Sequence, residues 1–431
     1  MIERFHVRLN VVVSMVSFGV NLVLVFFSYR LVIGVGGLEA LGLWSALMAW
    51  IFLIRLGDVG MGTATIRFVA QCDIQNEVQR VRGYVDTAII VNTALFSILS
   101  ILGYTLYSAN LTHIVPDNAD AQATARGILP LLFVGFFVSN ISGLVNGSLT
   151  GIHRGYQSAG LNIVGSVVQL GIVLWYVPQI GLAGLAWGLV GQHLVIIIAG
   201  WVLFLIAMRQ NGGGAGGVLP IGYSHTALRE MLSFSLKIQL ANILNGLFEP
   251  LSKILIGRIA GLEALGLFEL AFKAVAMPRN VIVSGVHATV PSMSRLLVEN
   301  RAAARDLFNV SQRRLMLGAT VITALVILAL PAASWLVLGR TDATLWLFTI
   351  VLGFGFLGNS MGATAYVLCI ASGRAEYLIV SSLAALLLLV VLVPVAGLIM
   401  GITAQVAGVA IALTGGGLAV RFMSRKVWEH P

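Results

Sequence analysis

The sequence predicts an all-α polytopic membrane protein, with about 12 transmembrane helices in two parallel six-helix bundles around a central cavity. Three observations predict it: a composition too apolar for a water-solvated surface, a succession of apolar runs of bilayer length, and an internal duplication relating the two halves. Hydrophobic residues fill 58% of the 431 positions and charged residues 10%, whereas a soluble chain carries about 25% charged residues. The mean hydropathy of +0.96 makes lipid part of the solvent, because much of any soluble fold still faces water. Two cysteines, Cys72 and Cys369, imply no disulfide framework.

A span needs about 20 mostly apolar residues. Such runs fall near 9–33, 41–66, 85–107, 127–150, 158–177 and 182–207. The first is a full span and is expected to stay in the protein, not to be cleaved as a leader. Six more fall near 233–256, 265–290, 315–337, 344–369, 376–395 and 398–420. Between the sets lies a polar segment with GGGAGG at 212–217. The expected domains are therefore an N-terminal six-helix bundle (1–208), a cytoplasmic glycine-rich linker (209–231) and a C-terminal six-helix bundle (232–431).

Lys and Arg in short loops set the orientation. Arg4, Arg8, Arg67, Arg80, Arg82, Arg154 and most later loop arginines fall on one side, while Arg126, Arg258 and Arg340 fall on the other. Both termini are thus expected in the cytoplasm, in a bacterial inner membrane. The net charge of +9 is mostly this topology signal, and no nucleic-acid partner is implied. The stretch 291–314 (PSMSRLLVENRAAARDLFNVSQRR) predicts one amphipathic helix, lying on the inner leaflet or serving as an ordinary surface helix.

The duplication is GLEALGL, at 37–43 and again at 261–267, 224 residues apart. SYRLVIG at 28–34 lines up with LSKILIG at 251–257, which sets Arg30 opposite Lys253. Continuing from the heptapeptide sets Arg55 opposite Arg279, and VPQIGLAG at 177–184 resembles VPVAGLIM at 393–400. Six spans return the chain to its starting side, so the second half keeps the orientation of the first. Parallel repeats of this kind enclose a cavity whose walls rock to give alternating access.

Ions within a membrane need a partner or a water-filled cavity. The basic set is Arg30, Arg55, Lys237, Lys253, Lys273 and Arg279; the acidic set is Asp58, Asp86, Glu249 and Glu269. Arg55 and Asp58 stand at i,i+3, and Glu249–Lys253 and Glu269–Lys273 at i,i+4, which places each pair on one helix face. That spacing reads equally as structural neutralisation and as an ion-coupling set of Asp58, Glu249, Glu269 and Lys273. Arg30 sits near a helix end, where it can snorkel. Arg279 follows Pro278 at mid-span and is the best candidate for a cavity-facing cation. Pro250 and Pro278 are candidates for kinks in the seventh and eighth spans. A cation excess in the first spans of each half suits an anionic cargo, since Arg and Lys bind phosphate oxygens well. His287 is expected in a packing or loop-facing role, with a cavity-facing one as the alternative. No nucleotide loop, HExxH or CxxC occurs. The chain therefore reads as a transporter with no cofactor and no metal site, not as an enzyme.

Several stretches carry a family resemblance. RLGDVGMGTATIRFVAQ at 55–71, GGLEALGLW at 36–44, GIHRG at 151–155 and the run from Gly261 to Leu296, with Pro291 and Ser294, are similar to segments of the polysaccharide/O-antigen flippase (polysaccharide transporter) family of the multidrug/oligosaccharidyl-lipid/polysaccharide exporter superfamily. Phe268 stands where that family often has Tyr. Twelve spans disfavour its fourteen-span lipid II branch. The resemblance implies a flippase for undecaprenyl-diphosphate-linked oligosaccharide, working beside a polysaccharide polymerase and glycosyltransferases among inner-membrane lipids. It implies that Arg30, Arg55, Lys253 and Arg279 face the diphosphate or an acidic sugar. Coupling to sodium, protons or the membrane potential stays open, as do an ion-coupled drug or metabolite antiporter of the same superfamily and a non-transporting scaffold.

Overall fold

A computed structural model describes residues 2–115, 119–211 and 217–429. The side chains of 2–12, 14, 15, 234, 236–242 and 375 lie outside that description, so Lys237 does too, as does most of GGGAGG. The helices run in order: α1 (Ile2–Ile54), α2 (Met61–Ala70), α3 (Val78–Ala109), α4 (Leu111–Ile114), α5 (Ala119–Gly151), α6 (Gly155–Ile180) and α7 (Leu182–Gln210). Then follow α8 (His225–Gly246), α9 (Phe248–His287), α10 (Val290–Glu299), α11 (Arg301–Leu338), α12 (Ala343–Ser360), α13 (Ala363–Ala371), α14 (Ala375–Met400) and α15 (Ile402–Glu429).

Among the described residues, nine helices are long and apolar enough to cross a membrane. Twelve membrane-length segments emerge once two facts are added. First, α1 is two arms joined at Gly37 (φ 69°, ψ −170°). Second, α8 together with the arm of α9 before Gly261 (φ 85°, ψ 176°) makes one membrane-length segment, and the arm of α9 after Gly261 makes another. This is an all-α, multi-pass membrane protein.

The described chain forms two compact units. Unit 1 is Met1–Val35 with Ile51–Gln239; unit 2 is Gly36–Trp50 with Leu240–Pro431. In unit 1, α5 packs against α2, α3 and α7. Its core gathers Met61, Tyr84, Val85, Leu144, Leu149 and Phe204. The described part of the inter-half linker is strapped to this unit. Arg82 Nη2 donates to Gly217 O at 2.9 Å, Trp201 Nε1 to Val218 O at 2.7 Å, and the Ser224 amide to Thr87 Oγ1 at 2.8 Å. In unit 2, α9, α12, α14 and α15 pack together, and Phe268, Phe348, Leu352 and Val409 are wholly buried.

The duplication is visible in the backbone. Gly37 and Gly261 open the two heptapeptide copies with the same non-helical conformation, which a residue with a Cβ rarely adopts. His153 and Gly373, both at positive φ, lie in the turns after α5 and α13, and Gly181 and Gly401 form those after α6 and α14; the two pairs keep the same separation in the chain. Gly181 is thus matched by Gly401, not by Gly397 as the VPQIGLAG alignment suggests. The reason is Pro394: it lies inside α14 without ending it, so the helix runs past 395 to Met400.

Two other expectations change. The stretch 291–314 is not one helix, because Asn300 leaves the helical conformation and its side chain accepts from the Ala303 amide at 3.1 Å. That is an N-cap, and it starts α11 afresh. Pro250 lies in the first turn of α9, where a missing N–H breaks no internal bond; the change of direction in α9 falls at Gly261.

Candidate functional site

Unit 2 contains a cavity of about 420 Å³ between α9, α12, α14 and α15, lined also by residues of α8 and α13. Phe248, Phe272, Phe356 and Tyr366 line its apolar part; Asn245, Asn280, Asn359, Ser381 and Ser382 line its polar part. Its two charged residues are Arg279 and Glu249, and their situations differ.

Arg279 has neutral partners. Its Nη2 donates to Asn359 Oδ1 at 2.6 Å, its Nε to Ser360 Oγ at 3.3 Å and its Nη1 to Asn280 Oδ1 at 3.3 Å. The guanidinium lies 5.7 Å from the centre of the Phe356 ring, a cation–π distance. Asn359 is oriented for this role, because its Nδ2 donates to Leu413 O at 3.0 Å and so turns Oδ1 toward Arg279. Among the described residues no carboxylate pairs with Arg279. A half-buried cation held by carboxamide and hydroxyl oxygens keeps its full charge for an incoming anion.

Glu249, in contrast, is neutralised. Its Oε1 accepts from Lys253 Nζ and Lys273 Nζ, each at 2.7 Å. Lys253 also reaches Glu269 Oε2 at 2.7 Å, and Ser45 Oγ donates to the same oxygen at 2.8 Å. The bend at Gly261 explains the cluster: Glu249 and Lys273 stand equally far from it on opposite arms, as do Lys253 and Glu269. The side chains of Lys253 and Glu269 are 7% and 3% exposed, so each depends on the other to stay charged. The i,i+4 pair Glu249–Lys253 is present, but the cluster is built mainly across the bend. Lys253 is therefore enclosed between two carboxylates in this state and does not face the cavity.

The remaining candidates lie in unit 1. Arg30 is on α1 with an exposed side chain. Arg55 opens a short 3₁₀ turn (Arg55–Gly57), and Asp58 accepts from the Gly60 amide at 2.9 Å. The expected Arg55–Asp58 helical pairing does not form among the described residues, because the helix breaks between them: Asp58 is extended (ψ 125°) and Gly60 left-handed. Asp86 pairs with Arg82 at 3.3 Å and accepts from the Gly222 amide at 3.1 Å, which anchors the linker. Within unit 2, Arg279 lines the cavity and Lys253 does not; Arg30 and Arg55 belong to unit 1.

A family model described as "Polysaccharide biosynthesis protein" matches residues 39–347. The chain belongs to the polysaccharide biosynthesis protein family. A search of curated protein sequences returns no match. Among solved structures, the inward-facing conformation of a multidrug resistance MATE family transporter of the MOP superfamily superimposes with a TM-score of 0.78 at 13% identity, over 97% of each chain. The outward-facing conformation of such a transporter gives 0.69 at 15% identity, over 98% of this chain and 95% of that one. A MOP superfamily transporter from Pyrococcus furiosus, described as having a binding pocket of reversed polarity, gives 0.67 at 15% identity over the same shares. This polysaccharide biosynthesis protein therefore has the fold of the MOP superfamily transporters.

Sequence reasoning missed the neutral lining of the site. Asn359 lies in the apolar run GFGFLGNS, and an isolated carboxamide inside a span was the available signal. Asn245, whose Oδ1 accepts from Ser382 at 3.0 Å, sits just before Leu247, where α8 meets α9. His287 packs, stacking on Tyr366 with ring centres 5.4 Å apart, and also lines the cavity.

Proposed function

We propose that this polysaccharide biosynthesis protein is a lipid-linked oligosaccharide flippase of the bacterial inner membrane, with both termini in the cytoplasm. It moves a polyprenyl-diphosphate glycan, of the kind used for O-antigen or exopolysaccharide, from the cytoplasmic to the outer leaflet by alternating access. The observation that carries the reading is Arg279, a cation on a cavity wall whose bonded partners are all neutral. Aromatic faces beside carboxamides and hydroxyls suit sugar rings, which offer C–H edges and many hydroxyl groups. The cavity volume falls within the range of about 300–1,000 Å³ usual for small-molecule sites, so it would hold a few sugar units while the polyprenyl tail stays in lipid. Arg279 would meet the diphosphate or an acidic sugar. Arg30 and Arg55 are the matching candidates in unit 1.

Glu249, Glu269, Lys253 and Lys273 form an internally neutral set, so in this reading they keep a buried structure together rather than bind cargo. Energy would come from a sodium or proton gradient or from the membrane potential, with no cofactor. A polymerase and glycosyltransferases would act on either side of the step. The alternative, an ion-coupled drug or metabolite antiporter, is favoured only by the fold it shares with multidrug transporters. Export of cationic drugs needs a free acid in the cavity, and Glu249 is already held by two lysines.

The test is translocation of a fluorescent polyprenyl-diphosphate glycan in proteoliposomes, beside a cationic dye. Glycan movement above empty vesicles supports the proposal. Dye export without glycan movement overturns it in favour of the antiporter.

A further inference from the structure

Residues 217–224 run along unit 1 without helical structure, yet the protein satisfies most of their backbone. Arg82 Nη2 donates to Gly217 O and, at 3.3 Å, to Leu219 O, and Trp201 Nε1 donates to Val218 O. Every N–H from Ile221 to Ser224 has an acceptor. Ile221 donates to Leu219 O at 3.1 Å, Gly222 to Asp86 Oδ2, Tyr223 to Ile221 O at 3.0 Å and Ser224 to Thr87 Oγ1. Pro220 has no N–H to satisfy. The seat is close: a Cβ on Gly222 would lie 2.9 Å from Asp86 Oδ2. A linker in water needs no such provision, because water bonds to free backbone groups. Backbone at membrane depth does need it.

The side chains are left outside. Val218, Leu219, Ile221 and Tyr223 are each more than half exposed, and no residue from 217 to 224 is charged. Depth explains them. The 29 residues of α7 make about 43 Å of helix, which matches a bilayer with its headgroups, about 40–45 Å. Trp201 stands nine residues before the end of α7 at Gln210, about 13 Å in. Val218, bonded to it, therefore reaches the edge of the hydrocarbon. Beside Trp201, the outer face of α7 carries Ile198, Val202 and Ile206, all exposed and one turn apart. That is the lipid-facing stripe of a membrane span, and the side chains of the linker continue it.

We infer that residues 217–223 form an interfacial membrane segment. Unit 1 holds the backbone through Arg82, Asp86, Thr87 and Trp201, and the exposed side chains enter the phospholipid where headgroups meet acyl chains. Apolar side chains with a tyrosine ring suit that boundary. The Arg82–Asp86 pair then has a role beyond pairing: it supplies a donor and an acceptor to non-helical backbone where water cannot. The inference rests on the multi-pass fold and not on the nature of the cargo.

The experiment uses the full chain in proteoliposomes with Cys72→Ser and Cys369→Ser, and a bimane fluorophore on Ile221→Cys. Ile198→Cys on α7 is the lipid reference, and Gln75→Cys, exposed in the polar turn after α2, is the water reference. Lipids carrying a nitroxide on the acyl chain should quench Ile221 as they quench Ile198. Iodide on both sides of the membrane should quench Gln75 and spare Ile221. The reverse pattern at Ile221 overturns the inference. Arg82→Met with Asp86→Leu removes three backbone bonds of the segment without leaving a lone buried charge. Iodide quenching at Ile221 should then rise about tenfold or more, with Ile198 unchanged. Unchanged quenching at Ile221 in folded double variant overturns the holding role of the pair. If that variant does not fold, Trp201→Phe decides. It keeps a ring against Arg82 and loses only the bond to Val218, so a rise of about fivefold is expected, and no rise overturns the inference.

Discussion

Arg279 is the residue on which the functional reading turns, and its partners say what replacing it should do. Arg279→Ala removes a charge-assisted contact worth about 1.5–3 kcal/mol, so the glycan concentration for half-maximal translocation should rise roughly 10- to 100-fold. Its neighbours Asn359, Ser360 and Asn280 are neutral and lose only one hydrogen bond each, so the melting temperature in detergent should change little. Arg279→Lys keeps the charge but loses the planar group that lies against Phe356, and should fall between the two. His153 gives an independent check on the repeat. It occupies a left-handed position matched in the second half by Gly373, and an L-residue there is destabilised by about 1–2 kcal/mol. His153→Gly should therefore raise thermal stability and Gly373→Ala lower it, each by about 1 kcal/mol, as read by melting in detergent. Arg279 could be singled out in the sequence because a cation in mid-span next to Pro278 is conspicuous. The directions of His287, Asn359 and Tyr366 could not be read, because an isolated polar side chain says nothing of its direction until neighbouring helices surround it.

The two-armed helix α9 shows where spacing along a chain stops being informative. Read as one straight helix, it offers i,i+4 pairs; bent at Gly261, it sets Lys253 against Glu269 and Lys273 against Glu249. The mirror spacing of these four residues about Gly261 was present in the sequence, but only a turn at that glycine gives it meaning. The same limit affected Arg55 and Asp58, which the break in the helix separates. The span expected to end near 395 runs on to Met400, because a proline inside a membrane helix need not end it. A stability test follows from the cluster. Lys253→Met alone leaves Glu269 with its charge buried and should cost about 3–5 kcal/mol. Adding Glu269→Gln removes that charge and leaves an amide oxygen for Ser45, so the double variant should recover most of the loss in a thermal melt. Equal losses in both variants would remove the ion pair as the cause.

For the molecule as a whole, the span count, the all-α class and the parallel duplication were legible from hydropathy and from one repeated heptapeptide. The packing partners of that heptapeptide were not: Gly42 lies against the Leu262 carbonyl and Gly266 against that of Leu38. Nor was the membership of residues 36–50 in unit 2, because a contact between two distant, identical segments leaves no local periodicity. The central claim is that this fold carries a polyprenyl-diphosphate glycan across the membrane, with Arg279 meeting its anionic part. The most direct measurement is the rate at which purified protein in proteoliposomes moves such a glycan between leaflets, compared with Arg279→Ala at equal folded protein. The account predicts movement well above empty vesicles and a loss of roughly 10-fold or more at sub-saturating glycan in the variant. Equal rates in the two proteins, or no movement by either under any ion gradient, would contradict it.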